Sequence, residues 1–182
     1  MVSICICNLS LYNSGQLMCE WLVLPATKDK LQRLLHRIGI NETYEEWFIA
    51  DHSSDFECVN EVIGEYTSVS SLNRLAERLG EMTRNELEML EAVAEGWGVK
   101  NVDELLKLSY NLDCFTLYED VHDEKELGEC FFYELGAIEV PKNLLPYFDF
   151  EAYGLDLRLS LDGMFTSHGY VEQIEELKEI EY

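Results

Sequence analysis

Basic residues are scarce in this sequence, which has 13 lysines and arginines against 36 aspartates and glutamates and a formal net charge of −23. A negative charge of this size goes well beyond what solubility alone requires of a small protein. The field that it creates repels nucleic acid and anionic membranes and attracts basic surfaces. The composition therefore argues against nucleic-acid and membrane partners, and it predicts a cationic partner that we expect to be a protein.

One stretch of the chain, residues 38–73, contains no lysine or arginine at all. Ordinary surfaces mix both signs, because opposite charges at neighbouring positions relieve repulsion. The stretch also carries apolar residues such as Trp47, Phe48 and Ile49, which can anchor it to a folded core. We therefore interpret it as a folded surface of one sign that carries the function. Its eight carboxylates are Glu42, Glu45, Glu46, Asp51, Asp55, Glu57, Glu61 and Glu65.

The sequence also lacks a long hydrophobic run. Its first eight residues have neither the basic region nor the apolar length of a signal peptide or a membrane span. We therefore expect a cytoplasmic protein.

With 182 residues, of which 47% are hydrophobic and 12% aromatic, the chain is long enough for one sizeable core or for two to three small subdomains.

Sequence motifs for catalysis and for cofactors are missing. The four histidines are scattered without a metal-ligand spacing such as HExxH, and neither a GxGxxG nor a P-loop motif occurs. We therefore predict that the protein is not an enzyme, and we expect no catalytic residue, no cofactor and no metal.

Among the six cysteines only Cys5 and Cys7 are closely spaced, and their C-x-C spacing differs from that of structural zinc sites. The sequence favours free, buried thiols.

Three alternative interpretations of the acidic composition stay open. Residues 51–57 begin like the calcium-binding loop of an EF-hand, although Phe56 and Val62 stand where that loop needs glycine and glutamate. A calcium-binding module is therefore one alternative, and an acidic scaffold for another basic protein is the second. The third is a solvated surface that serves solubility alone.

The residue patterns predict an α+β fold of three small subdomains, over residues 1–64, 65–109 and 110–182. The first combines strands at 2–8, 17–24 and 46–51 with a loop at 12–15 and a helix that Thr27 caps and that ends near Ile38. The second is helical, over 68–80 with Gly80 as its stop, over 83–95 after a capping box, and over 102–109. The third has a strand at 114–118, a helix at 123–135, helical turns at 143–148 and 150–153, and strands at 155–161 and 165–174. Its aromatic surplus predicts a denser core, or a core plus an oligomer interface.

Several ordered blocks of residues resemble the ArdA antirestriction proteins of mobile elements along nearly the whole chain. The blocks are Asn8-Leu9-x-x-Tyr12-Asn13-x-Gly15-x-Leu17 with Trp21, Tyr44-Glu45-Glu46 with Asp51, Glu65-Tyr66-Thr67-Ser68 followed by Leu72-Asn73-Arg74-Leu75, and Pro141-x-x-Leu144-x-x-Tyr147-x-Asp149-x-x-Ala152-Tyr153-Gly154-x-Asp156-Leu157 closed by His168-Gly169. The chain departs from the family pattern at Leu155, where a basic residue is expected, and in a Glu-rich extension over residues 171–182.

The resemblance implies an elongated DNA mimic that forms a homodimer through its C-terminal region. It also implies a partner, the methyltransferase core of a type I restriction-modification enzyme with its specificity subunit, whose DNA-binding groove the mimic occupies in the bacterial cytoplasm. B-DNA carries one charge per ~1.7 Å of axis, so a net charge of −23 would imitate roughly 39 Å of duplex.

Further acids outside residues 38–73 are candidates for the same role. Three of them recur at i, i+3 and i+7 on the second helix of the middle subdomain, where like charges are mildly destabilising. The others lie in the last third of the chain, partly in a second base-free cluster after the first predicted strand. Together with the eight acids of the base-free stretch, the candidate DNA-mimicking residues are Glu88, Glu91, Glu95, Asp113, Glu119, Asp120, Asp123, Glu124, Asp149, Glu151 and Asp156.

Overall fold

The amino-terminal strand is the centre of the first sheet in the computed structural model, which describes residues 1–180. β1 (Val2–Asn8) pairs antiparallel with both β2 (Cys19–Leu24) and β3 (Trp47–Ser54), so the strand order is β2–β1–β3. Alternate side chains of a strand point to opposite faces, and one face of β1 is buried through Val2, Ile4 and Ile6. The three strands predicted in this region are confirmed.

The connection from β1 to β2 contains a short helix where the sequence predicts a loop. α1 (Leu9–Asn13) begins after Asn8, whose side chain accepts a hydrogen bond from the Leu11 N–H at 3.1 Å. The side-chain amide of Asn8 also donates to the Ile38 carbonyl at 3.2 Å, and Asn8 is fully buried. Because this long-range bond helps to hold the cap in place, local sequence patterns do not predict the helix.

α2 (Lys28–Arg37) begins where the sequence predicts it. The Thr27 hydroxyl accepts a hydrogen bond from the Lys30 N–H at 3.3 Å, as expected of a threonine N-cap. Leu34 faces the core, and Gly39 follows the end of the helix with a φ of +82°. Glycine adopts this left-handed conformation readily, and the predicted helix is confirmed.

Four helices follow β3 along the chain. They are α3 (Glu57–Val62), α4 (Val69–Glu81), α5 (Arg84–Trp97) and α6 (Val102–Ser109). The sequence does not predict α3, which packs against β3, whereas the other three lie close to their predicted positions. α4 continues one residue past Gly80, its predicted stop, and packs on α6.

The chain divides into two compact units. The first comprises Met1–Thr83 and Val99–Ser109, and the second comprises Arg84–Gly98 and the chain from Tyr110 onward. α5 thus belongs to the second unit, although α4 and α6 on either side of it in sequence belong to the first. The division into three subdomains stays a prediction.

The second unit contains another three-stranded antiparallel sheet, with strand order β4–β6–β5. Its strands are β4 (Phe115–Tyr118), β5 (Gly163–Thr166) and β6 (Gly169–Gln173), and α5 packs against this sheet. Single turns of 3-10 helix lie at Leu112–Cys114 and Leu145–Tyr147. Two small antiparallel sheets with helices packed on them make an α+β fold, which confirms the predicted class.

Two helices of the second unit pack closely on each other. α7 (Glu124–Tyr133) and α8 (Phe150–Ser160) begin at aspartate N-caps, Asp123 and Asp149, whose side chains accept hydrogen bonds from backbone N–H groups at 2.8 and 3.0 Å. The core beside them gathers around the fully buried Tyr170. The helix predicted over residues 123–135 is confirmed as α7.

The strand predicted over residues 155–161 is wrong, because this segment lies largely in α8. Apolar residues alternate with polar ones here, which is a pattern typical of strands. The cap at Asp149 and the packing of Gly154 on α7 select the helix instead. Tertiary contacts therefore override the local pattern, whose apolar residues are Leu155, Leu157, Leu159 and Leu161.

The single strand predicted over residues 165–174 is a hairpin. β5 and β6 are joined by a tight turn in which the Thr166 hydroxyl donates to the Gly169 carbonyl at 2.9 Å and accepts from the His168 N–H at 3.1 Å. Gly169 has a φ of +126°, a conformation that side chains rarely adopt. The prediction missed this turn inside an otherwise strand-like run.

Two of the six cysteines form a disulfide, so the prediction of free thiols is wrong for Cys7 and Cys19. These residues are direct partners across the β1–β2 pair, with Cα atoms 4.1 Å apart. Strand register brings the two sulfurs together, and the sequence spacing alone gives no sign of it. The other four cysteines keep their thiol groups, and three of them are buried: Cys58, Cys114 and Cys130.

Candidate functional site

All eight carboxylates of the base-free stretch, residues 38–73, are exposed. They come from three places in the first unit: the connection between α2 and β3, the second half of β3 with the turn after it, and α3 with its following loop. The apolar residues between them point inward, and Phe48, Ile49 and Val59 are buried. The stretch is therefore a folded surface of one charge sign.

The connection between α2 and β3 is an ordered turn. The side-chain oxygen of Asn41 accepts hydrogen bonds from the N–H groups of Thr43 at 2.8 Å and Tyr44 at 3.2 Å. The Asn41 N–H in turn donates to the Tyr44 carbonyl at 2.9 Å. This turn carries three of the exposed carboxylates, Glu42, Glu45 and Glu46.

α3 presents two carboxylates on the solvent side of a short helix, Glu57 and Glu61. The Asn60 side chain fastens the helix to β3, because it accepts from the Ser54 N–H at 2.9 Å and donates to the Ser54 carbonyl at 3.2 Å. The opposite side of the helix is buried in the core, through Cys58, Val59 and Val62. The backbone that carries the two carboxylates is thus fastened to the core.

Six of the eight carboxylates form no salt bridge within residues 1–180, and we call these six the acidic patch. Of the other two, Asp55 pairs with the amino-terminal ammonium group of Met1. Glu57 lies in the first turn of α3, where the helix dipole favours a carboxylate. The described part of the chain therefore leaves the charge of the patch uncompensated. The acidic patch consists of Glu42, Glu45, Glu46, Asp51, Glu61 and Glu65.

Basic residues of α2, the helix before the patch, have acceptors of their own. Arg37 donates to the Glu20 carboxylate through Nε at 2.8 Å and also through Nη2. These hydrogen bonds lower the pKa of the Glu20 carboxyl below its ordinary value. The Nε group of Arg33 donates to the Asp29 carbonyl at 3.2 Å.

The three candidate acids of α5 are partly engaged within the second unit. Arg84 donates to the Glu88 carboxylate at 2.8 Å. Glu95 accepts hydrogen bonds from the Ser167 N–H at 2.9 Å and from the Ser167 hydroxyl at 2.7 Å, and these bonds lower the pKa of the Glu95 carboxyl. Glu88 and Glu91 are also half-buried. Glu95 therefore stabilises the β5–β6 turn in addition to any role at the surface.

The candidate acids of the last third fall into three groups. Asp113 forms a salt bridge with Lys178, which lowers the pKa of the Asp113 carboxyl, and Glu124 pairs with Arg158 at 3.1 Å. Two more are the N-caps of α7 and α8 described above. The remaining four are exposed and take part in no salt bridge of the described chain: Glu119, Asp120, Glu151 and Asp156.

A groove of about 580 Å³ between β4 and α7 gathers five carboxylates, three of which were not among the candidates. Tyr118 lines it and donates through its hydroxyl to Glu172 at 3.1 Å. Burial, reinforced by the charge of Glu172, raises the pKa of Tyr118 to about 12. The helical period of α7 could have identified the missed residues, since they lie off its buried face. The acidic lining consists of the candidates Glu119 and Asp120 and of the missed residues Glu126, Glu129 and Glu134.

Residues 51–57 do not form a calcium loop. Asp51 and Ser53 lie on β3, and Glu57 begins α3, so the oxygen ligands of an EF-hand loop are spread over two elements. In the described part of the chain, one group of three potential ligands has donor atoms within 4.8 Å of one another, and it consists of cysteines rather than carboxylates. The structure gives the calcium alternative no geometric support.

Fold and surface together define a strongly acidic α+β protein. None of the aspartates and glutamates among residues 1–180 is buried, and no helix in that range combines the length and apolar character needed to cross a membrane. The chain belongs to the ArdA family, because the family model described as antirestriction protein (ArdA) matches residues 4–172 of 182. A comparison with curated proteins found no match. Family membership confirms the resemblance and implies an antirestriction function.

Proposed function

We propose that this protein protects incoming DNA by imitating B-DNA and occupying the DNA-binding groove of a type I restriction-modification enzyme. The partner is the methyltransferase core with its specificity subunit, in the cytoplasm of the bacterial host. The observation that carries the proposal is the acidic patch, six exposed carboxylates that form no salt bridge within residues 1–180 and lie in a stretch without basic residues. A groove that neutralises phosphates does so with lysine and arginine, which also pair with carboxylates.

The spacing of the carboxylates supports imitation of a phosphate backbone. Glu57 and Glu61 are four residues apart on α3, which separates them by ~6 Å along the helix axis. This distance lies between one and two phosphate steps of ~3.4 Å along a DNA strand. The long side chains of lysine and arginine can adjust to the difference. The surface thus offers the groove a similar density of negative charge without copying each phosphate.

The contacts within each unit rank the candidate acids. The patch, together with Glu119, Asp120, Glu151 and Asp156, supplies carboxylates that the described chain does not pair with cations. The N-cap aspartates of α7 and α8, and Glu95 beneath the β5–β6 turn, hold the second unit together. We expect substitutions in the first group to weaken inhibition and substitutions in the second group to lower the free energy of unfolding.

Competition with DNA tests the proposal. A type I methyltransferase is bound to a labelled duplex that contains its recognition sequence, and the protein is then titrated in. We expect the duplex to be displaced, with an apparent inhibition constant that rises in proportion to the DNA concentration. A stable complex that holds enzyme, duplex and protein together would contradict occupation of the DNA-binding groove.

The salt dependence of the two complexes provides a first quantitative prediction. DNA releases condensed counterions when it binds, so its affinity falls steeply with rising salt. The carboxylates of this protein are fixed on a low-dielectric body and are partly offset by 13 basic residues, so fewer ions are released. We expect a shallower slope for the protein than for DNA when both affinities are measured from about 50 to 200 mM salt.

Inhibition should therefore become relatively more effective as ionic strength rises. If the affinity of the protein for the enzyme did not change with salt, binding would not depend on charge, and electrostatic mimicry of DNA would be contradicted. A slope as steep as that of DNA would mean that the protein releases as many counterions as a duplex, which is contrary to the argument from its fixed charges.

Dimerisation through the C-terminal region is the second prediction. α8 exposes Leu155 and Leu159, which are four residues apart and 40% and 72% accessible. Residues four apart are neighbours on one helix face, so the two leucines form a continuous apolar surface that an interface could cover. We expect the full-length protein to sediment as a dimer at micromolar concentration, and the variant with Leu155→Glu and Leu159→Glu to sediment as a monomer.

The control for this prediction is Leu17→Glu, which places the same charge at a residue of the first unit that is 76% exposed. This variant should remain a dimer. Circular dichroism should show that the α8 variant keeps its helix content. A dimer that survives both substitutions on α8 would place the interface on a different surface.

A further inference from the structure

Three sulfur atoms lie together on the first sheet. Cys5 and Cys7 occupy alternate positions of β1 and therefore lie on the same face, and Cys19 is the cross-strand partner of Cys7 on β2. The three Sγ atoms all lie within 4.8 Å of one another. The C-x-C spacing of Cys5 and Cys7 does not by itself predict a zinc site. The register of β1 and β2 adds a third sulfur atom, that of Cys19, which the sequence spacing does not reveal.

The separations suit a single thiophilic metal ion. Zinc binds thiolate sulfur at about 2.3 Å in a tetrahedral arrangement, which places neighbouring sulfurs ~3.8 Å apart. Sulfurs that already lie within 4.8 Å can reach this spacing through side-chain rotation, without a change of the strand pairing. Cys19 is exposed and Cys5 is half-buried, so an ion can approach from solvent, while Cys7 is buried beneath them.

We propose that the reduced protein binds one Zn²⁺ ion through Cys5, Cys7 and Cys19. Soft thiolate ligands select ions of this class over Ca²⁺ and Mg²⁺, which prefer oxygen. Three protein ligands leave the fourth tetrahedral position to a water molecule or to an incoming thiol. The site belongs to the first unit and uses none of the carboxylates of the acidic patch as ligands, although Asp51 of the patch is the cross-strand partner of Cys5. It therefore adds a ligand to the protein beyond the proposed inhibition.

The disulfide and the metal site cannot exist at the same time, because two of the three proposed ligands are the sulfur atoms of Cys7 and Cys19, which the disulfide joins. A cellular thiol reductant breaks their S–S bond, supplies two electrons and two protons, and is itself oxidised to a disulfide. The two thiols formed in this way and the thiol of Cys5 then form three Zn–S bonds and release three protons. The β1–β2 pair is thus cross-linked either by sulfur or by zinc, according to the redox state of the cell.

The test uses the full-length protein, reduced with a phosphine under an inert atmosphere and freed of reductant. Zn²⁺ is titrated in the presence of a chromophoric chelator, and Cd²⁺ is added separately to follow sulfur-to-metal charge-transfer absorption. We expect one tightly bound ion per chain, an absorption band with Cd²⁺, and no tight binding after the disulfide has been formed again. A reduced protein without stoichiometric binding would overturn the proposal.

Two cysteine variants separate this site from weak binding by surface carboxylates. Cys19→Ser removes one ligand at an exposed position, where the fold should tolerate the change. We expect its zinc affinity to fall by more than about a hundredfold, since even groups that only support a ligand are worth about 10 to 100-fold. Cys130→Ser, which changes a buried thiol of the second unit, should bind zinc like the wild type. Unchanged affinity in Cys19→Ser would assign the ion to carboxylates and refute the three-sulfur site.

Discussion

Replacing the six carboxylates of the acidic patch by lysine is expected to abolish binding to the type I enzyme. Each reversal adds two positive charges, so six reversals change the formal net charge from −23 to −11. The groove would then face repulsion in place of attraction across the whole patch. Proteins with six to ten phosphate contacts lose about 10³ to 10⁵ in affinity when these contacts are screened by salt, and we expect a loss of at least about a thousandfold. The measurement is displacement of labelled duplex from the methyltransferase.

The structure guides the choice of these six residues. Asp55 and Glu57 are left unchanged, because Asp55 binds the amino terminus and Glu57 favours the first turn of α3. All six of the altered carboxylates are exposed, so circular dichroism and the unfolding midpoint should stay close to those of the wild type. A loss of binding can then be attributed to charge and not to misfolding.

A matched control separates the position of the charges from their number. Six exposed acids outside the patch are changed to lysine, which gives the same net charge of −11. This control should bind within about tenfold of the wild type, because its patch is intact. Equal losses in both variants would mean that net charge alone matters. The control residues are Glu77, Glu81, Glu139, Asp162, Glu175 and Glu176.

A smaller change within the patch shows how the interaction is distributed. Mimicry spreads the free energy of binding over many carboxylates, and an exposed ion pair contributes only about 0.2 to 1 kcal/mol. Two such pairs amount to at most about 2 kcal/mol, so changing Glu45 and Glu46 to lysine should weaken binding by about thirtyfold at most. If this pair alone removed all binding, the interface would depend on a conventional hot spot.

The parts of the fold that were predictable from the sequence are those that local chemistry specifies. The hydroxyl of Thr27 caps α2, and Gly39 follows the helix end with a positive φ, so the residues that begin and end this helix act on their immediate neighbours. β1 alternates buried and half-buried positions from Val2 to Ile6, as expected of a strand with one face on a core. Exposure of the base-free carboxylates also follows from local chemistry, since burial of an unpaired charge is costly.

The parts that were missed depend on contacts between residues far apart in the chain. The bonds that Glu95 accepts come from Ser167, 72 positions away, so no pattern within α5 reveals that this acid is engaged. The disulfide depends on the register of β1 and β2. The strand-like alternation of residues 155–161 gives way to a helix that is stabilised by its packing on α7. In each case tertiary structure decides between local options that the sequence leaves equal.

The contact between α7 and α8 leads to the second large prediction, a severe loss of stability in Gly154→Ala. The two helices cross at Gly128 and Gly154 so closely that a Cβ atom on Gly154 would lie 1.6 Å from the Glu124 carbonyl oxygen. A Cβ on Gly128 would lie 2.1 Å from the Phe150 carbonyl oxygen. Backbone atoms cannot move aside as a flexible side chain can, so the helices must separate and open the core around Tyr170.

We expect Gly154→Ala to lower the free energy of unfolding by more than about 3 kcal/mol, the range of severe overpacking. Urea unfolding followed by circular dichroism measures this loss. The matched control is Gly80→Ala, because Gly80 also lies in a helix but has open space around its Cβ position. Alanine there should stabilise the protein by about 0.5 to 1 kcal/mol, through its better helix propensity.

The same substitution connects the core to the proposed dimer. α8 carries the exposed Leu155 and Leu159, and its displacement from α7 would remove the rigid surface that an interface needs. We therefore expect Gly154→Ala to sediment as a monomer even where part of the population stays folded, while Gly80→Ala remains a dimer. A stable, dimeric Gly154→Ala would show that α7 and α8 can move apart at little cost, which contradicts a crossing where backbone meets backbone.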